Sequence, residues 1–417
     1  MNVSNTDRQT LRTLAGQLAD IAALDTHAEK ASMWADVNKL QSQRPMVWMN
    51  EIPWHEMNVD DELTLKCTDP FLRSIEDNMR KTIYQWRHMP GDMIVSDYIS
   101  CPMAIEDTGF GLEEDVEIAI TDVESNVVSR KFHRQIIDPE DIEKIKNAVI
   151  TRDQGATDQR YQTMCDIMGD ITPIRIEGVK GMWFSPWDEL IRWWGVQEAM
   201  MDMVLRPQMV NDIVARLVDV YIDRLDQWEK LNVLTLNNDN TRVGSGAYGH
   251  TDELPGEKFD PEHITASNLW GCATAQIFSQ VSPDMHWEFA LRHEMRYLER
   301  WGLAYYGCCE PLDIKMDILR KIPNLRKISM SPWVDPQRSA EELAGDYVYS
   351  YKPNPAVLAE DRWRPDQARE DLVRYLDQTR ACHVEIIMKD ISTVRRQPQR
   401  LWEWDKIVME VVDRYAK

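Results

Sequence analysis

Apolar and polar positions follow two rhythms along this chain. Short runs rich in Val, Ile, Tyr and Met give way to polar loops, and then to longer stretches in which apolar residues recur every three or four positions. Eight short runs predict strands: 47–52 (VWMNEI), 93–98 (MIVSDY), 174–179 (IRIEGV), 233–237 (VLTLN), 304–309 (AYYGCC), 327–330 (KISM), 347–351 (YVYSY) and 383–389 (HVEIIMK). A further strand-like run, 115–120 (DVEIAI), falls in a region that reads as an insertion. Helix signals lie between them. Ser185 stands as an N-cap before Pro186, with Asp188 and Glu189 in the first turn. Over 206–232, Val210, Ile213, Val214, Leu217, Val220, Tyr221 and Leu225 share one helical face.

Strands alternating with helices imply parallel pairing, and eight such units imply one α/β domain, a (β/α)8 TIM barrel spanning 45–417. A helical N-terminal extension (1–44) precedes it, and the insertion follows strand 2. In this architecture chemistry collects at the carboxyl ends of the strands. Cys308 and Cys309 close a strand and so fall on that rim, whereas Cys382 opens one and reads as a small buried hydrophobe. The vicinal thiols are open to metal ligation, core packing or redox pairing. Strand alternation and nearness to the rim favour Cys309 as the functional thiol, and a thiolate there suits zinc.

Composition narrows the partners. The 70 acidic residues outnumber the 48 basic ones, for a net charge of -22, which disfavours nucleic acid and anionic membrane surfaces. Seven cysteines without a C-x-x-C spacing suit reduced thiols and a cytoplasmic location. No run of apolar residues is long enough for a transmembrane helix.

Other candidates come from strand exits and loops. Glu385 sits within an apolar strand, where a carboxylate needs a partner or a metal, and Asp390 follows at the rim. Glu310 follows the thiols, and Asn237, Asn238 and Asp239 leave another strand. Trp54, Trp333 and Tyr248 are aromatic candidates for a substrate wall. The loop RVGSGAYGHTDELPG holds Gly244, Gly246 and Gly249 in a G-x-G-x-x-G spacing, but no helix follows, so it reads as a loop that lets backbone approach a ligand closely, with His250 at its end. HEMRY (293–297) has Tyr297 where a zinc-protease helix has its second histidine, so His286 and His293 are expected on a solvated helix face.

Together the segments TPIRIEGVKGMWFSPWDEL, LWGCATAQIFSQVSPDMHWEFAL, GLAYYGCCEPL and YSYKPNPAVL resemble the uroporphyrinogen decarboxylase superfamily over most of the chain beyond about residue 45. The resemblance implies a (β/α)8 barrel. The arginine motif of the true decarboxylases is missing from RPMVWMNEIPWHE. The other branch implies a zinc-dependent methyltransferase working with a separate corrinoid protein, through an H-x-C motif and a distant cysteine. Cys309 falls at the first cysteine of that motif, Gly307 at the histidine, and the distant position lies near Asp390. Zinc would then draw on Cys309, Cys308 and Glu385, with Glu310, Asp239 and Asp390 as catalytic acids. The expected reaction moves a methyl group from a small methylated donor, such as a methoxylated aromatic, to the corrinoid. A homodimer is compatible with this reading. The alternative is a metal-independent decarboxylase or lyase that grips a carboxylated substrate through Arg80, Arg87 or Arg242.

Overall fold

Local capping signals mark where the helices begin. In the computed structural model, which describes residues 3–120, 128–257 and 259–416, the first helix is Asn5–Ala22. Ser4 accepts the Asp7 N–H while the Asp7 carboxylate accepts the Ser4 N–H, a reciprocal cap. A second helix, Thr26–Asn38, follows. No helix among the described residues is long and apolar enough to cross a membrane.

The strands among the described residues are β1 (Met46–Met49), β2 (Ile99–Pro102), β3 (Ala104–Asp107), β4 (Val116–Ala119), β5 (Ser129–Phe132), β6 (Ile150–Asp153), β7 (Ile174–Glu177), β8 (Trp270–Ala273), β9 (Leu303–Tyr306), β10 (Leu325–Met330), β11 (Val348–Tyr351) and β12 (His383–Met388). Six of them form a parallel sheet in the order β1-β12-β11-β10-β9-β8. β2 pairs in parallel with β7, and a single parallel bridge joins Val179, just past β7, to Leu234. The pairs β3–β6 and β4–β5 are antiparallel and lie between β2 and β7 in sequence. This is a mixed α/β fold with a long parallel sheet, compatible with a barrel.

Three strand expectations differ from the structure. Residues 93–98 carry no ladder, and the strand begins at Ile99. Here Asp92 makes the link to β1: its N–H donates to the Val47 carbonyl, and its buried carboxylate accepts the Val47 N–H at 2.8 Å in place of a second backbone bond and pairs with Arg44. Residues 233–237 make only the Leu234 bridge, because the Asn237 amide donates to the Trp270 carbonyl and accepts the Trp270 N–H in place of a backbone ladder. In the six-stranded sheet the unanticipated strand is β8, four residues long, whose Gly271 is required: a Cβ there would lie 2.2 Å from the Trp301 ring; β3, β5 and β6 were not anticipated either. His286, expected on a solvated face, is fully buried between Tyr306 and Lys315.

Strand alternation divides the sheet into two faces. Val47, Met49, Ala304, Tyr306, Ile328, Met330, Tyr349, Val384, Ile386 and Met388 pack into the main apolar core. The other face is mixed. Met46, Val348 and Ile387 cluster there with Ala247 and Tyr248, while Leu303, Tyr305 and Cys272 cluster with Val243. The loop after Asn240 is therefore laid on this inner face, and its glycines allow the approach. A Cβ on Gly246 would lie 2.5 Å from both Glu385 Oε1 and the Tyr305 ring. The same face holds a fully buried ion pair, Lys327 Nζ to Glu385 Oε2 at 2.9 Å, completed by the Tyr248 carbonyl and the Ala247 N–H.

Removing one member of such a pair leaves an uncompensated buried charge, so Lys327→Met should cost about 3–5 kcal/mol. The double variant Lys327→Met/Glu385→Leu should recover at least half of that loss. Denaturant midpoints of the three proteins measure both effects.

Candidate active site at the carboxyl ends of the strands

The alternation that builds the inner face continues one step past two strand ends. Val348, Ser350 and Lys352 share a parity, as do Glu385, Ile387 and Lys389. Lys352 and Lys389 are accordingly buried at the carboxyl edge, with about 4% and 3% exposure. Strand parity fails at β9. Gly307 has φ +98°, and a Cβ there would meet Leu312 at 2.4 Å, so the chain turns at a residue that must be glycine. The turn sends Cys308 inward beside Lys389 and leaves Cys309 the more exposed thiol.

The Cys308 and Cys309 sulfurs lie 3.6 Å apart. The hydrogen bond from Cys309, supported by Lys389 and Lys352 against burial and Glu310, lowers the Cys308 pKa. Cys309 is raised in turn by Cys308, by burial and by Asp390. Lys389 Nζ sits 3.8 Å from Cys308 Sγ, 2.5 Å from Asp390 and 3.2 Å from Glu51. Burial opposes its charge, but Cys308, Glu51 and Asp390 together raise its pKa above that of an ordinary lysine. Glu51 also accepts from Arg242 at 2.8 Å. Burial works against the Glu51 charge, yet Asp390, Lys389 and Arg242 hold its pKa at about 2.

Lys352 is different in kind. Its Nζ donates to the Tyr305 hydroxyl at 2.6 Å and to the Ser350 carbonyl and hydroxyl at 3.1 Å, and it meets no carboxylate. Burial brings its pKa down to about 7, with Lys389 and Arg242 acting the same way and Cys308 and Glu385 acting against them. The Tyr305 hydroxyl also bonds Ser245 and Ser350, and Ser245 donates to the Gly307 carbonyl, so the network reaches back to the thiol turn.

The other candidates are spread more widely. Glu310 is fully buried beneath the thiol turn, accepting from the Cys308 N–H and the Thr274 hydroxyl, which positions Cys308. Asp239 pairs with Lys180 at 2.7 Å. Asp390 stands exposed at φ +55°. Asn237 and Asn238 are spent on backbone carbonyls, and the Tyr248 ring packs against Trp48 and Trp34. Trp54 packs against Tyr84, and Trp333 is 69% exposed. Arg80 and Arg87 pair with Glu76 and Glu62; of the proposed gripping arginines, Arg242 joins the rim network.

The structure does not bring Cys308, Cys309 and Glu385 together, because Glu385 is committed to Lys327. Among the described residues no group of three or more His, Cys, Asp or Glu is placed to share a metal ion. At the centre of Cys308, Asp390 and Glu51, where a cation would sit, the chain supplies its own ammonium, Lys389. This donor set does not fit zinc. Sequence reasoning missed Lys352, Lys389, Tyr305 and Glu51; the signal available was the parity of the two lysines with their strands.

No family model matches the chain, and no curated protein sequence matches it. Among solved structures it is similar to a methyltransferase from Methanosarcina mazei, with 10% identity and a TM-score of 0.50, covering 93% of this chain and 99% of that one. At this identity the likeness is one of fold.

Replacing the ammonium next to the thiol should raise the Cys308 pKa in Lys389→Met, since the charged form loses a partner. The ultraviolet thiolate absorbance, taken as a difference from Cys308→Ala, follows that titration. Zinc offered to anaerobic protein should bind well below stoichiometry, and elemental analysis should find more in Lys389→Ala, where the cation position is vacated.

Proposed function

We propose that this chain is a methyltransferase that moves a methyl group from a small methylated donor to a separate corrinoid protein, with its reacting centre among Cys308, Lys352, Lys389, Glu51 and Arg242. The observation that carries the reading is the gathering of a thiol, two buried lysines and a hydroxyl network at the carboxyl ends of β9, β11 and β12, the edge where parallel α/β sheets place their chemistry. The fold likeness to a methyltransferase and the resemblance of the sequence to the uroporphyrinogen decarboxylase superfamily support it, and a (β/α)8 barrel is the architecture it assigns. In this reading Glu310 and Gly307 position the thiol, the thiol and Glu51 hold Lys389 charged, and the buried lysines face the heteroatom that loses its methyl group. No step is assigned to zinc, because the donors close around an ammonium.

A second reading has one specific observation in its favour. Arg242, Lys352 and Lys389 stand at one edge, a set of cations able to hold a carboxylated substrate for decarboxylation.

A corrinoid protein reduced to cobalt(I), mixed with this protein and a methoxylated aromatic, methylated amine or methylated thiol, should develop the methyl–cobalt(III) absorption spectrum. Lys389→Met and Cys308→Ala should each slow that change by about tenfold or more, since each removes a partner that orders the other rim groups. Carbon dioxide release from a carboxylated substrate, with no methyl–cobalt formed from any donor, would transfer the assignment to the decarboxylase reading.

A further inference from the structure

Methyl transfer from oxygen differs from transfer from an onium centre in one respect that the rim addresses directly. An ether oxygen leaves with the bonding electron pair and must gain a proton to leave easily, whereas a sulfonium or ammonium centre leaves neutral and needs none. Lys352 has surroundings that suit a proton donor. Lys389 lies on Asp390 and Glu51, Arg242 on Glu51, and Lys180 on Glu177 and Asp239, whereas Lys352 meets no carboxylate. A carboxylate would fix the lysine proton; the hydroxyls and carbonyl around Lys352 leave it transferable. The titratable and charged groups that face it are Cys308, Lys389, Glu385 and Arg242.

Resting on the methyl-transfer reading, we propose that Lys352 donates a proton to the heteroatom that loses the methyl group, and that the donor is accordingly a methyl ether and not an onium compound. The methyl–oxygen bond breaks with its electron pair retained by oxygen. The new bond to the methyl carbon forms from the acceptor's lone pair, and the ammonium proton of Lys352 passes to the departing oxygen, leaving an alcohol or phenol and a neutral amine. The Tyr305 hydroxyl, bonded to Ser245 and Ser350, lies 2.6 Å from that amine and can turn its proton toward the neutral nitrogen as a hydrogen-bond donor. Burial favours the neutral amine that the step produces, so the environment lowers the cost of proton release. Lys389, held charged by its carboxylates, is the poorer donor.

The test compares two donors with free cob(I)alamin as acceptor, corrected for the uncatalysed reaction: 2-methoxyphenol, whose leaving oxygen needs a proton, and trimethylsulfonium, whose leaving sulfur does not. Wild-type protein should demethylate the ether. Lys352→Met should lose that rate by about 100-fold or more, in the range general acid catalysis supplies. Lys352→Arg, which keeps the charge but holds its proton, should lose it as well. Far-ultraviolet circular dichroism and the thermal midpoint should show both variants folded, and any rate wild type shows with trimethylsulfonium should fall far less in them than the ether rate does. Equal losses on both donors would make Lys352 a positioning residue and overturn the proposal, as would an unchanged ether rate in either variant. If wild type methylates cobalamin from trimethylsulfonium but not from the ether, the donor class is wrong while methyl transfer stands. If it transfers from neither donor, and the corrinoid-protein assay is silent too, the methyl-transfer reading falls and takes this proposal with it.

Discussion

Charge buried on the inner face of the sheet is the constraint from which the rest of the molecule follows. Lys327 and Glu385 lie on neighbouring layers of that face with no water to solvate them, so each must be met by a partner and by further hydrogen bonds. The loop carrying Gly244, Gly246 and Gly249 meets that need by bringing the Tyr248 carbonyl and the Ala247 N–H onto the pair. Only residues without a Cβ let it descend far enough. The same descent places Ser245 against Tyr305, and Tyr305 against Lys352. A structural ion pair one level down thereby sets the positions of the groups at the rim.

The two levels are solved differently. Below, the charges are matched and the pair is completed by the Tyr248 carbonyl and the Ala247 N–H, which gives a fully satisfied floor. Above, Lys389 is shared among a thiol and two carboxylates, and Lys352 has only neutral oxygens. An environment that declines to neutralise a buried lysine costs stability, and such departures from full satisfaction are where function is to be sought. Glu310 belongs to the first kind of solution although it neighbours the second: its carboxylate is consumed in holding the Cys308 backbone and Thr274, so it acts on the thiol through geometry.

The sequence by itself determined the repeating strand and helix units, most strand positions, and the edge of the sheet at which to look, because side-chain period and N-cap chemistry are local properties of the chain. It also held more than was read from it. The alternation Val348, Ser350, Lys352 and Glu385, Ile387, Lys389 is visible in the letters and places both lysines inward at strand ends. Tertiary structure decided the rest. Nearness to the rim favoured Cys309, but the chain turns at Gly307 with a positive φ, where Leu312 and Ser329 leave no room for a Cβ, and that turn exchanges the roles of the two thiols. Asn237 looked like a substrate contact until β8 arrived beside it and took its amide as a surrogate ladder. Glu385 looked like a ligand until Lys327, 58 residues away in the chain, supplied the opposite charge. A buried polar group is chemically defined by what faces it, and what faces it comes from distant strands whose pairing no local pattern records.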